Sequence, residues 1–146
     1  MTEREERAKD WLNRNYGYAL ELDAIQRRLD KMQSEIEKCV KPIRLREVQE
    51  QPQGNGPEEK LATWIDMSAD LERKRYILLA RDNETIKVIE KIESHILRTI
   101  LIERYINRLN WNQIKAKLHK DGGWVFELHR QALDAILPYV PEEVKK

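Results

Sequence analysis

Tyr18, Leu22, Ile25, Leu29, Met32, Ile36 and Cys39 follow one another in alternating steps of four and three, and Ile43 stands four residues further on. That rhythm lines one narrow stripe of an α-helix with apolar side chains. Sustained over more than three heptads, with charged flanks such as QRRLDKMQSEIEK, it predicts the seam of a coiled coil. A helix with one apolar stripe must bury it against something, so the feature demands at least a second helix. Asn15 and Gly17 weaken the first turns, and Pro42 is expected to interrupt or end the helix.

The rest of the sequence supplies that helix. EVQEQPQGNGPEEK, Glu47 to Lys60, holds its Pro and Gly without periodicity and predicts a loop over about 47–57. A second helix is expected from about Glu58 to Ile92, with Pro57 at its start and Glu58 and Glu59 at the positive end of its dipole. Its apolar positions are Leu61, Trp64, Ile65, Leu71, Leu78, Ile89 and Ile92, whereas Ser68, Arg75 and Asp82 put polar groups on the seam. Two helices of matching length joined by a short loop predict an antiparallel hairpin over 1–93. The polar seam positions imply imperfect packing or a further chain completing the core, hence a homo-oligomer formed through the hairpin. Whether the hairpin closes within one chain or swaps between chains stays open.

Charge divides the chain more sharply than composition does. The net charge of the 146 residues is +1, yet residues 1–94 carry −2 and residues 95–146 carry +3. Within 98–120, Arg98, Arg104, Arg108, Lys115, Lys117 and Lys120 face a single acid, Glu103, and all three histidines (His95, His119, His129) fall in the same region. A local basic stripe is the expected footprint of a polyanion partner. Charged residues reach 36% and hydrophobic ones 40%, with five Gly and five Pro, a balance suited to long solvated helices and an all-α fold.

The basic region lies in a run of short helices over 94–138, followed by a tail at 139–146. Ser94 caps the first, HILRTILIERYI. Asn110 caps a second that presents Trp111, Ile114 and Leu118, and Asp121 caps a third whose apolar face is Val125, Leu128, Ala132, Leu133 and Ile136. Helix, short turn, helix in a basic setting is the layout that sets a second helix in the DNA major groove.

ILIERYINRLNWNQIKAKL followed by WVFELHRQALDAI resembles the sigma-factor region 4-like helix-turn-helix of small Gram-positive phage regulators, the late-gene transcription activators of the ArpU/RinA type. The residues carrying the resemblance are Arg104, Tyr105, Ile106, Leu109, Trp111, Ile114, Leu118, Val125, Leu128, His129, Ala132 and Leu133. Departures accompany it. Arg108 stands where the family prefers Gly, Asn110 replaces a Ser/Thr cap, and Lys115 replaces a small Ala. Gly122 and Gly123 stand where polar or basic side chains touch DNA, and Glu127 where a basic one is common.

The resemblance implies a DNA-binding transcriptional regulator of a phage or prophage, acting with host RNA polymerase as an activator in the cytoplasm of a bacterial host. Arg108, Asn110, Lys115, Lys117, Lys120, Gly122, Gly123, Trp124 and Arg130 are the expected contacts to double-stranded DNA. The bare Gly122-Gly123 tip lets backbone N–H groups approach a phosphate, and Trp124 is the one large side chain beside it. Two alternatives stay open: a protein–protein interaction module with a degenerate helix-turn-helix, or a DNA-packaging subunit like a phage small terminase.

No enzyme, cofactor or metal is expected. The chain lacks a Gly-rich phosphate loop, an H-E-x-x-H and a nucleophile paired with a base, and no zinc spacing surrounds His129. One cysteine permits no internal disulfide, and no apolar run approaches membrane-spanning length.

Overall fold

A computed structural model describes residues 2–46 and 56–142, with side chains described for 2–39 and 56–142. The chain is all-helical, with no strand among the described residues. Among the described residues six α-helices follow in order: α1 (Glu3–Leu12), α2 (Tyr16–Arg46), α3 (Pro57–Ile89), α4 (His95–Leu101), α5 (Trp111–Leu118) and α6 (Gly122–Ile136). A π-helical turn, Ile102–Ile106, extends α4, and a 3-10 turn, Leu137–Tyr139, follows α6. No helix is long and apolar enough to cross a membrane among the described residues.

Helix α1 has its own stop and start. Thr2 and Glu5 form a reciprocal capping box: the Thr2 hydroxyl accepts from the Glu5 N–H at 3.1 Å and the Glu5 carboxylate from the Thr2 N–H at 2.9 Å. A turn at Asn13–Asn15 then separates α1 from α2, where the sequence already offered two weak helix formers. Helix α2 runs on through Pro42 to Arg46, so that proline does not end it. The expected loop at 47–57 lies almost wholly outside the described residues.

The chain divides into two compact units. One, Gly17–Leu78, pairs α2 with most of α3. The Tyr18 hydroxyl donates to the Lys74 carbonyl and the Trp64 indole to the Leu29 carbonyl, at 3.3 and 3.0 Å, which fixes an antiparallel run. Leu22, Leu29, Met32 and Leu71 are buried there, with Tyr18, Ile25, Trp64, Met67 and Leu78 packed around them. The α2 rhythm therefore does face inward. On α3 the seam differs from the expected one: Leu61 and Ile65 are exposed, and the packed set is Trp64, Met67, Leu71 and Leu78. The two rows lie on neighbouring faces of the helix, and only one can meet α2.

The other unit joins residues up to Tyr16 with those from Leu79 onward. Its core contains Ala8, Trp11 and Leu12 of α1, Ile89 and Ile92, Leu101, Tyr105, and Ala132, Leu133 and Ile136 of α6. Fully burying side chains of this size contributes roughly 1.5–3 kcal/mol each, and α1 supplies two of the large ones. This division differs from the one expected at 93/94, because the sequence offers no periodic link between α1 and the C-terminal helices. The expected tail also differs: Val140 is buried in the same core, which the 3-10 turn reaches by folding back beside α1.

Candidate nucleic-acid interface

Three side-chain caps set the C-terminal helices. Ser94 accepts from the Leu97 N–H. Asn110 and Gln113 form a second capping box, at 2.8 and 2.9 Å. Asp121 accepts from the Trp124 N–H at 2.8 Å. Left-handed residues stand on either side of α5, Arg108 with φ 58° and His119 with φ 55°. The second lets the chain turn within His119–Asp121 and enter α6. Ile114, Val125 and Leu128 are buried behind that turn.

The basic residues counted together in the sequence separate by type. The arginines are used internally. Arg98 donates to the carbonyls of Ile92 and Glu93 and to His95 Nδ1. Arg104 donates to the Leu109 carbonyl and lies over the Trp111 ring at 4.6 Å. Arg108, expected among the DNA contacts, turns inward onto Asp82, with both guanidinium Nη atoms 3.2 Å from the two carboxylate oxygens. Its side chain is 21% exposed and that of Asp82 13%. The polar residue on the α3 seam is thereby explained, since Asp82 serves Arg108 and not α2. A glycine preference at position 108 also has a physical basis, because left-handed backbone suits a residue without Cβ.

Arg130 is bound elsewhere as well. Its Nε lies 3.3 Å from Glu5 of α1, with Glu127 at 3.9 Å. The Thr2 N–H and the Arg130 guanidinium hold the Glu5 carboxyl below the usual carboxylate range. Asn110 spends its side-chain oxygen on the cap.

The three lysines lie on α5 and in the turn that follows it. Lys117 and Lys120 are exposed, and Lys120 Nζ stands 5.3 Å over the ring of Trp124. Lys115 folds across the first turn of α6: a methyl placed on Gly122 would lie 3.6 Å from its Nζ and 3.7 Å from its Cδ. Trp124 is 47% exposed. Lys115, Lys120, Gly122, Gly123 and Trp124 thus form one corner, with exposed Lys117 on another face of α5, whereas Asn110 is spent on its cap, Arg108 turns onto Asp82 and Arg130 onto Glu5.

The two glycines are not required by the fold. Neither has a positive φ, and a Cβ at either would make only ordinary contacts, the nearest to Gly123 being Asp121 Oδ1 at 3.6 Å. Glycine inside a helix costs about 0.5–1 kcal/mol relative to alanine.

Behind the corner lies an aromatic cluster that the sequence pattern conceals. Trp111, expected as core, is half-buried, with Phe126 and His129 edge-on at 5.2 and 4.7 Å. His129 is buried and shares a 2.7 Å hydrogen bond with the Tyr105 hydroxyl. Burial pushes its pKa down to about 4, helped by Lys9 and Arg104, and pushes that of Tyr105 up. A neutral, enclosed imidazole packs and hydrogen-bonds; it does not reach a phosphate. Phe126, four residues from Gly122 and half exposed, completes the wall beside Lys115. Its helical spacing from Gly122 was the available signal. Among the described residues no three His, Cys, Asp or Glu side chains group as metal ligands.

Comparison with known proteins finds no matching family model, no matching curated protein and no matching solved structure.

Proposed function

We propose that this chain is a DNA-binding regulator that grips the phosphate backbone with the α5–α6 corner. The observation carrying the proposal is the glycine pair: the fold has room for a side chain at Gly122 and Gly123, yet the first turn of α6 carries none there, with Lys115 beside Gly122 and Lys120 over Trp124. Asp121 takes the Trp124 N–H, and the N–H groups of Gly122 and Gly123, with Lys115 and Lys120 near them, suit a phosphate oxygen. Trp124 offers a flat surface to a sugar or base beside it.

In this reading α5 and α6 act as the sigma region 4-like helix-turn-helix of a phage or prophage activator, with host RNA polymerase as the protein partner. The paired long helices join copies in the manner of a coiled coil. The sequence-reading surface is small, because Gly122 and Gly123 reach no base edge and Glu127 adds a negative charge. Affinity is then mostly electrostatic, with modest discrimination between sequences.

The test is fluorescence anisotropy on labelled duplex DNA across a salt series. Three phosphate contacts give a log–log salt slope of about −2.7. Lys117→Glu combined with Lys120→Glu should weaken binding to every duplex alike and flatten that slope. Absence of binding at low salt, or binding indifferent to salt, refutes the reading. It would then favour a protein partner seated on exposed Trp124.

A further inference from the structure

Helix α3 carries a second apolar row that α2 does not cover. Leu61, Ile65 and Tyr76 are 44%, 52% and 68% exposed, and exposed Ala69 lies between them. Successive steps of four, four and seven keep these residues on one face of the helix, with Glu72 completing the row. The row is distinct from the packed one at Trp64, Met67, Leu71 and Leu78.

We infer that this row is a self-association face on which α3 of a second copy docks antiparallel. The pattern is close to its own reverse about a two-fold axis between Asp70 and Leu71. Ile65 then meets Tyr76 of the other copy, and Ala69 meets Glu72. Charge supports the same direction. Asp66 and Arg73, seven residues apart, border the row on the same flank, so an antiparallel pair sets Asp66 of each copy within a turn of Arg73 of the other. A parallel pair in register would instead stack Glu72 on Glu72 along the row and set Asp66 and Arg73 of the two copies on opposite sides of the contact, without that pairing. Arg73 is well exposed, resting on half-exposed Asp70 within its own chain, and is able to switch partner. Small Ala69 opposite Glu72 leaves that carboxylate space to lean into solvent.

The row from Leu61 to Tyr76 runs about 23 Å along the helix. Such a contact falls below the roughly 1,200 Å² of a standard stable interface. The dimer is therefore weak and concentration-dependent. It needs no DNA, and it stands or falls separately from the DNA-binding reading.

Sedimentation velocity on the full chain, without DNA, should show monomer passing to dimer as concentration rises. Tyr76→Glu should raise the dissociation constant at least tenfold while leaving the helical circular dichroism unchanged. Direction is read by cross-linking in a Cys39→Ser background. A mixture of Ile65→Cys chains and Tyr76→Cys chains should oxidise mainly to the mixed disulfide dimer. A strict monomer at submillimolar concentration overturns the proposal, and so does a dimer indifferent to Tyr76→Glu. Preferential Ile65→Cys homodimers would overturn the antiparallel direction.

Discussion

Removing the Asp82 carboxylate should cost more than its position on a mostly polar helix suggests. Asp82→Ala leaves the Arg108 guanidinium in a site where its Nε already has no hydrogen-bond partner. Breaking one side of a fully buried pair costs about 3–5 kcal/mol. With the two side chains 13% and 21% exposed, water screens part of that, and about 2–3 kcal/mol is expected. Position 108 carries a second term, because its φ of 58° strains any residue with a Cβ. That strain is on the order of 1 kcal/mol. Arg108→Ala loses the pair and keeps the strain, whereas Arg108→Gly loses the pair and relieves it, so glycine should be the more stable of the two by about 1 kcal/mol. Urea unfolding followed by tryptophan fluorescence measures both. A Trp64→Phe background confines the signal to Trp11, Trp111 and Trp124, all in the unit that holds the ion pair. An Asp82→Ala cost below about 0.5 kcal/mol, in the range of an ordinary surface change, would refute the buried-pair reasoning. Equal stability of the Ala and Gly variants at 108 would refute the strain.

Acid should weaken the same unit through His129. Its folded pKa of about 4 lies below the ordinary 6.5, so the unfolded chain takes up the proton first. Stability is then complete above about pH 6.5 and is lost as pH falls toward 4, by about 3 kcal/mol in all; His129→Gln should remove most of that slope in chemical denaturation at stepped pH. Gly122→Ala with Gly123→Ala should move two properties in opposite directions. The melting temperature should rise by a few degrees, since each substitution is worth up to about 0.5–1 kcal/mol, while anisotropy should show weaker DNA binding; a stabilised variant with undiminished binding would remove the glycine pair from the interface.

Local signals proved legible and distant ones did not. Ser94, Asn110 and Asp121 were readable as caps because a cap is decided by residues three positions away. The inward rhythm of α2 was readable for the same reason. The partner of Asp82 was not, since it lies 26 residues away beyond a left-handed turn that no hydrophobic pattern announces. Counting charge joined Arg98, Arg104 and Arg108 to Lys115, Lys117 and Lys120, although the planar guanidinium groups serve carbonyls, a ring and a carboxylate while Lys117 and Lys120 stay exposed. The capping box of Thr2 and Glu5 was on view as T-x-x-E, but its significance rests on α6, more than a hundred residues away, where Arg130 meets Glu5.

The position of α1 bears on how the chain acquires its structure. The unit containing the α5–α6 corner takes Ala8, Trp11 and Leu12 from one end of the sequence and Ala132, Leu133 and Ile136 from the other. During synthesis the α2–α3 pair can close while the ribosome is still making the rest, whereas α1 must wait for α6 to emerge. Its apolar face is thus uncovered for most of translation, about 6–25 seconds at roughly 5–20 residues per second. The long-range closure makes this unit the slow one. A fragment beginning at Ser94 keeps α4 but lacks α1, the other helix against which α6 packs, so the unit bearing the corner is complete only when both ends of the chain have come together.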